Sequence, residues 1–169
     1  MKWNQQRIKI NNKQKVLETI RENAPISRAE LAQKLVLTKS TVSSLVNELI
    51  EANICYEMGP GESSGGRRPV MLLFQHTEAH VIGIDIGVNY IMGVLTDLNG
   101  NIIKERKQPT MTSDYDEALE IIMDLIRSLI SSAPESMYGV VGIGLAVPGT
   151  VNMDGELLLA PNLNWKHKQ

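Results

Sequence analysis

The chain has 169 residues, 43% hydrophobic and 21% charged, the balance of a globular protein with room for one large domain or two small ones. No apolar run approaches the roughly 18 residues of a membrane helix, and the first ten residues, MKWNQQRIKI, lack the apolar stretch of a signal peptide. Cys55 is the only cysteine, which excludes an intrachain disulfide and a cysteine-built zinc site and points to a reducing, cytoplasmic setting.

The net charge of -2 is unevenly divided. Residues 1–75 carry 11 Lys/Arg against 7 Asp/Glu, and residues 76–169 carry 6 against 12. A basic front and an acidic back describe two modules with different partners, the front one suited to a polyanion.

In chain order, residues 12–23 place Val16, Leu17 and Ile20 at helical spacing, and Asn23-Ala24-Pro25 stops the helix. Ser27 stands three residues before Glu30, the spacing of a capping box, and starts a short second helix with Leu31, Ala32 and Leu35 on one face. After a turn around Val36-Leu37, Thr38 caps a third helix with Val42, Leu45, Val46, Leu49 and Ile50 in one stripe. The period then changes to two. ICYEM reads as a strand, GPGESSGGRRP as a loop and VMLLF as a second strand, a hairpin with a long tip. Three helices and a hairpin make a winged helix-turn-helix.

From His80 the pattern differs. HVIGIDIGV is a buried strand ending in a carboxylate and a glycine, and YIMGVLTDLNGNIIKERK is two strands joined at Asp-Leu-Asn-Gly. An amphipathic helix follows over 113–132, with Ala118, Ile121, Ile122, Leu125, Leu129 and Ile130 expected inward. YGVVGIGLAVPG reads as another buried strand, and GELLLAPNLNW as a short strand and loop. The β-β-β-α-β order implies a mixed α/β sheet.

A helix-turn-helix lays its second helix in the major groove. On the third helix here, Thr38, Lys39, Ser40, Thr41, Ser43, Ser44 and Asn47 are polar and lie off the apolar stripe. Hydroxyls and a helix N-terminus suit phosphates, and an Asn can pair with adenine through both amide atoms. An ordinary solvated face would favour Glu, Lys and Gln, because Ser and Thr are weaker helix formers. Gly66, Arg67 and Arg68 sit at the hairpin tip, where glycines permit close approach and guanidinium groups can clamp phosphates or enter a minor groove. With Ser27 and Arg28 at the start of the second helix, these residues form the expected DNA-contacting set.

SRAELAQKLVLTKSTVSSLVNELIEANI, then SSGGRRP, then IGIDIGV resembles the repressor branch of the ROK family (repressors, open reading frames, kinases), and within it the xylose-responsive members of Gram-positive bacteria. The resemblance implies a winged helix-turn-helix over residues 1–76. Residues 77–169 would be the first part of an actin-like (ribonuclease H-like) sugar-kinase-type ATPase domain. It implies a non-enzymatic repressor of sugar utilisation, without cofactor or metal, that binds double-stranded palindromic operator DNA as a homodimer and releases it when a sugar, xylose, binds. GIGLAVPGTV and APNLNW resemble the family's sugar-side segments and nominate Pro148, Gly149, Asn162 and Trp165 as ligand-binding. On the residues alone, Asn162 capping a turn and Trp165 filling core is an equal reading.

Two departures matter. ROK kinases continue the phosphate loop with Gly-Thr, whereas Asp85-Ile86-Gly87 is followed here by Val88-Asn89-Tyr90, which argues against ATP binding and leaves Asp85 as a strand-end residue satisfied by backbone. The family's Asn-Asp sugar pair, Glu-x-Gly-His segment and zinc cysteines have no counterpart in this sequence, so the chain is expected to be a fragment or a truncated product with a marginal second half. The alternative reading is a sugar kinase with an appended helical domain; the altered phosphate loop speaks against it.

Overall fold

Helix α1 (Lys2–Asn23) opens the computed structural model, which describes residues 2–60, 69–110 and 113–168. It starts well before the expected residue 12. Residues 5–10 are exposed and include Ile8 and Ile10, so this extension is carried by helix-forming Gln, Arg and Lys and not by burial. Only the second half meets the core, through fully buried Val16 and Ile20 with Leu17 packed beside them. The helix ends ahead of Ala24-Pro25.

A two-residue strand, β1 (Ile26–Ser27), leads into α2 (Arg28–Leu35). The Ser27 hydroxyl accepts from the Glu30 N–H at 3.3 Å and the Glu30 carboxylate accepts from the Ser27 N–H at 2.8 Å, closing the capping box. Val36 ends α2 in the left-handed conformation (φ 54°), its N–H and that of Leu37 returning to the Gln33 and Ala32 carbonyls. Helix α3 (Lys39–Glu51) starts on the Thr38 cap. It buries Val42, Leu45, Val46 and Leu49 against α1 and α2, while Ile50 is half-buried at the margin.

The hairpin of β2 (Cys55–Pro60) and β3 (Val70–Phe74) completes this unit. β2 runs two residues further than ICYEM, with a register irregularity between Met58 and Pro60. β1 pairs with the other edge of β3, giving a three-stranded sheet in the order β1-β3-β2 with fully buried Leu72 at its centre. Two residues are too few to read as a strand from sequence; pairing to β3 supplies what the segment lacks on its own. Burial pushes the Cys55 thiol up to about 11, so it is inert core.

Contacts divide the chain after His76 into Met1–His76 and Thr77–Gln169. In the second unit, β4 (His80–Ile86), β5 (Tyr90–Asp97), β6 (Ile102–Pro109) and β7 (Val140–Ala146) form a mixed sheet ordered β6-β5-β4-β7, in which only β4 and β7 run parallel. The β5–β6 turn is held by Asp97, whose carboxylate accepts from the N–H groups of Asn99 and Asn101, with Gly100 at φ 83°. Helix α4 (Tyr115–Ile130), capped by Asp114, covers one face of the sheet with Ala118, Ile122, Leu125, Ile126 and Leu129. Ile130 is exposed, against expectation, because it lies about a quarter turn from the centre of that stripe.

β7 departs most from its reading. Its apolar run was expected to be buried, yet Val141, Ile143 and Leu145 are 55%, 45% and 58% exposed. A continuous apolar run marks a strand covered on both faces, but these three side chains alternate along one face of β7, and the helix that covers the sheet packs on β5 and β4, leaving that face of β7 open. A second small sheet follows, β8 (Thr150–Val151), β9 (Leu157–Ala160) and β10 (Trp165–Lys168) in the order β10-β9-β8, with a 3-10 turn over Pro161–Leu163.

Val36 is a β-branched residue held at positive φ and 90% exposed, so it carries strain with no packing to offset it. Val36→Gly should raise stability by about 1 kcal/mol, read as a higher denaturation midpoint. Separately, the Ser27 N–H and hydroxyl hold the Glu30 carboxyl below its ordinary value of 4.5. A depressed folded pKa contributes stability that is present above the unfolded value and lost as pH falls through the folded one. Glu30→Gln keeps the box geometry without the charge, so its midpoint should fall less than the parent's on acidification through that range.

Candidate nucleic-acid interface

Burial of one α3 face forces the other outward. Lys39, Ser40, Ser44 and Asn47 are exposed, and Ser40, Ser44 and Asn47 follow at i, i+4 and i+7 up one side. Thr41 and Ser43 are half-buried at the flanks. Thr38 is exposed but its hydroxyl is used locally: it accepts from the Thr41 N–H at 3.2 Å and meets the Ser40 and Thr41 hydroxyls at 3.0 and 2.8 Å. The first turn of α3 thus offers hydroxyls and the positive end of a helix on one surface, suited to phosphate and base edges.

Ser27 leaves the expected contact set. It is 5% exposed and its hydroxyl donates to Glu30 at 2.7 Å, so it works as a cap beneath the surface. Arg28 is a bridge. Its Nη1 donates to the Asn47 Oδ1 at 2.9 Å and its Nη2 pairs with the Glu57 Oε1 at 2.8 Å, linking α2, α3 and β2. Sequence reasoning missed Glu57. It is the residue after Tyr56 on the strand face that also carries buried Cys55, and only the packing of β2 beside α2 brings it to Arg28. One turn beyond Ser44 on α3, Glu48 pairs with Lys9 at 2.6 Å and Lys13 at 3.1 Å, and those cations lower its pKa. Gly66, Arg67 and Arg68 lie outside the described residues.

In the second unit, the strand-end carboxylate is held by a side chain and not by backbone as expected. The Tyr90 hydroxyl donates to the Asp85 Oδ2 at 2.7 Å, and this hydrogen bond, with the Asp85 charge, pushes the phenol pKa up. The ring lies directly over Gly87, so closely that a Cβ there would run into the Tyr90 ring carbons. The Lys107 ammonium sits 4.3 Å from the ring centroid on the ring's face. An aromatic ring therefore fills the approach to the turn that a phosphate would need open.

The four nominated ligand residues lie on or next to the small second sheet. Gly149 packs against β9 so closely that a Cβ would meet the Leu159 carbonyl at 2.5 Å. Pro148 is half-buried and Asn162 exposed. Trp165 is 4% exposed, its indole N–H donating to the Ser113 carbonyl at 2.9 Å and its ring edge-on to Tyr115 at 5.3 Å. That burial matches the core-filling alternative for Trp165. An apolar groove of about 390 Å³ runs between Ile86, Tyr115, Leu119, Leu145, Val147 and Trp165, with Lys168 as the charged group of its lining among the described residues. Such walls lack the amides that sugar hydroxyls need.

If the Tyr90 ring seals the turn, Gly87→Ala should destabilise the second unit by about 1–3 kcal/mol through overpacking. In a Tyr90→Ala background the same substitution should cost little, a coupling that denaturant melts of the four proteins would measure. Additive effects would mean the ring does not rest there.

Comparison with known proteins agrees with both units. Residues 11–54 match a winged helix-turn-helix DNA-binding family and residues 81–169 match the ROK family. The chain is 44% identical over 159 residues to the xylose repressor of Bacillus spizizenii and 43% identical to that of Bacillus subtilis, in each case over 94% of this chain and 41% of the relative. It therefore spans about 41% of the length of these curated relatives. Among solved structures it is similar to a ROK family transcriptional regulator described as a homolog of the Escherichia coli MLC protein, at 26% identity and a TM-score of 0.72, over 94% of this chain and 40% of that one. With more than half of its residues matching, the chain belongs to the ROK family.

Proposed function

We propose that this chain is the DNA-binding part of a transcriptional repressor of sugar-utilisation genes, with xylose as the effector that releases it. The observation that carries the reading is the exposed Lys39, Ser40, Ser44, Asn47 face of α3, the second helix of a helix-turn-helix. The relatives named xylose repressors support the choice of sugar. Two copies would set their α3 helices in successive major grooves of a palindromic operator about one helical turn or a multiple apart. Sugar bound near Pro148, Gly149 and Asn162 would act by favouring a dimer geometry that cannot span those grooves. Tyr90 over Gly87 and its hydrogen bond to Asp85 speak for a regulator and against a kinase, since they occupy the phosphate turn. No helix among the described residues is long and apolar enough to cross a membrane. A cytoplasmic homodimer without metal or cofactor is the form proposed.

The test is fluorescence anisotropy on duplexes selected from a randomised library. Ser44→Ala should lower affinity for the selected duplex by about 1–3 kcal/mol while leaving random-duplex affinity unchanged. The Arg67→Ala/Arg68→Ala pair should weaken binding to all duplexes, and the log-affinity against log-salt line should flatten by about 0.9 for every phosphate the wing no longer neutralises. Lines of equal slope and height would remove the wing from the interface. An unchanged specific-to-random ratio for Ser44→Ala would remove α3.

A further inference from the structure

We propose that Arg28 is a specificity-determining positioning residue: it fixes the side-chain amide of Asn47 so that Asn47 presents hydrogen-bond donors to the base edge it faces. The inference rests on the DNA-binding reading above and adds to it the orientation of one reading group. An amide at the surface of a helix can normally turn over, exchanging oxygen for nitrogen, and so offer either a donor or an acceptor. Here it cannot do so freely. A guanidinium has five N–H donors and no acceptor, so the Asn47 atom 2.9 Å from the Arg28 Nη1 must be the carbonyl oxygen, and the NH2 group is left for other partners.

Arg28 is itself held. Its second arm is fixed at 2.8 Å by the Glu57 carboxylate on β2, with the arginine side chain 29% exposed, so the guanidinium is clamped between the wing strand and α3. The chain Glu57–Arg28–Asn47 joins three elements that the core already packs together, so the orientation is set before any nucleic acid arrives. Flipping the amide would bring the NH2 against the guanidinium, donor to donor, and leave the Arg28 arm without its acceptor. Asn47 stands two turns beyond Ser40 on the same exposed side, within the face that meets the groove. In the major groove guanine offers only acceptors, O6 and N7, whereas cytosine offers the N4 amino donor. A donor-presenting Asn47 therefore favours guanine over cytosine on the strand it faces.

The experiment is selection of bound duplexes from a randomised library by the full chain, followed by sequencing, for the parent, Asn47→Ala, Arg28→Ala, Asn47→Asp and Ser44→Ala, each first checked for cooperative melting. The base position read by Asn47 is the one whose preference disappears in Asn47→Ala. There the parent should favour guanine over cytosine by about tenfold. Arg28→Ala should bring that ratio to near unity, because the freed amide can accept as well as donate. Asn47→Asp keeps the shape and the Arg28 contact but has only acceptors, so its preference should invert toward cytosine. That variant stands in if Arg28→Ala does not fold. A uniform loss of affinity in Arg28→Ala with base preference intact would overturn the proposal and make Arg28 a phosphate clamp. So would a library in which no position depends on Asn47 while Ser44→Ala still alters selection, an outcome that leaves the repressor reading standing. Failure of the parent to select any sequence would instead sink the repressor reading, and this inference with it.

Discussion

The first unit depends on one packing constraint: the apolar stripe of α3 must be sealed. Val42, Leu45, Val46 and Leu49 are each 2% exposed or less. At about 1.5–3 kcal/mol for each fully buried aliphatic side chain, this stripe outweighs any single polar contact on the surface. It also sets the rotation of α3 about its axis. Once those four positions face α1, α2 and β2, Ser40, Ser44 and Asn47 have only the outside left to them. A weak helix-forming surface is tolerated because tertiary burial, and not intrinsic propensity, holds the helix.

Polar contacts then refine what packing has oriented. The Ser27–Glu30 box fixes the start of α2, and with it the point at which the Arg28 side chain leaves the backbone. Ser27 is the residue immediately before Arg28, so the cap fixes the backbone from which the arginine springs. From there the guanidinium reaches both Asn47 and Glu57. Glu48 ties α1 to α3 through Lys9 and Lys13. These exposed pairs are individually weak, and their contribution is direction more than stability.

In the second unit a side chain covers the turn between β4 and β5. The strand, the carboxylate and the glycine are in place at Asp85-Ile86-Gly87. Tyr90, at the start of the next antiparallel strand, returns its hydroxyl to Asp85 and lays its ring across Gly87. The ring thus fills the space above the Gly87 backbone. A phenol hydrogen bond satisfies the carboxylate, with Lys107 over the ring.

Much of this was legible in the sequence because it is local. Caps at Ser27 and Thr38 act within four residues, the stripes of α3 and α4 repeat within the length of a helix, and the Asp97–Gly100 turn closes on itself. Such signals need no knowledge of what lies across the core. Most of the readings that changed depended on a distant partner. β1 exists only because β3 lies beside it. The exposed face of β7 follows from where α4 packs, on β5 and β4, which the apolar run of β7 does not encode. Trp165 became core because Tyr115 and the Ser113 carbonyl sit 50 and 52 residues earlier in the chain yet in contact with it. The exception is α1, which continues back to Lys2 on helix propensity with no apolar period to announce it. The amide of Asn47 likewise has no preferred orientation in a sequence. Which end faces outward was decided by an arginine 19 residues away and a glutamate 29 residues from that arginine, because hydrogen-bond direction belongs to the pair and not to either residue alone.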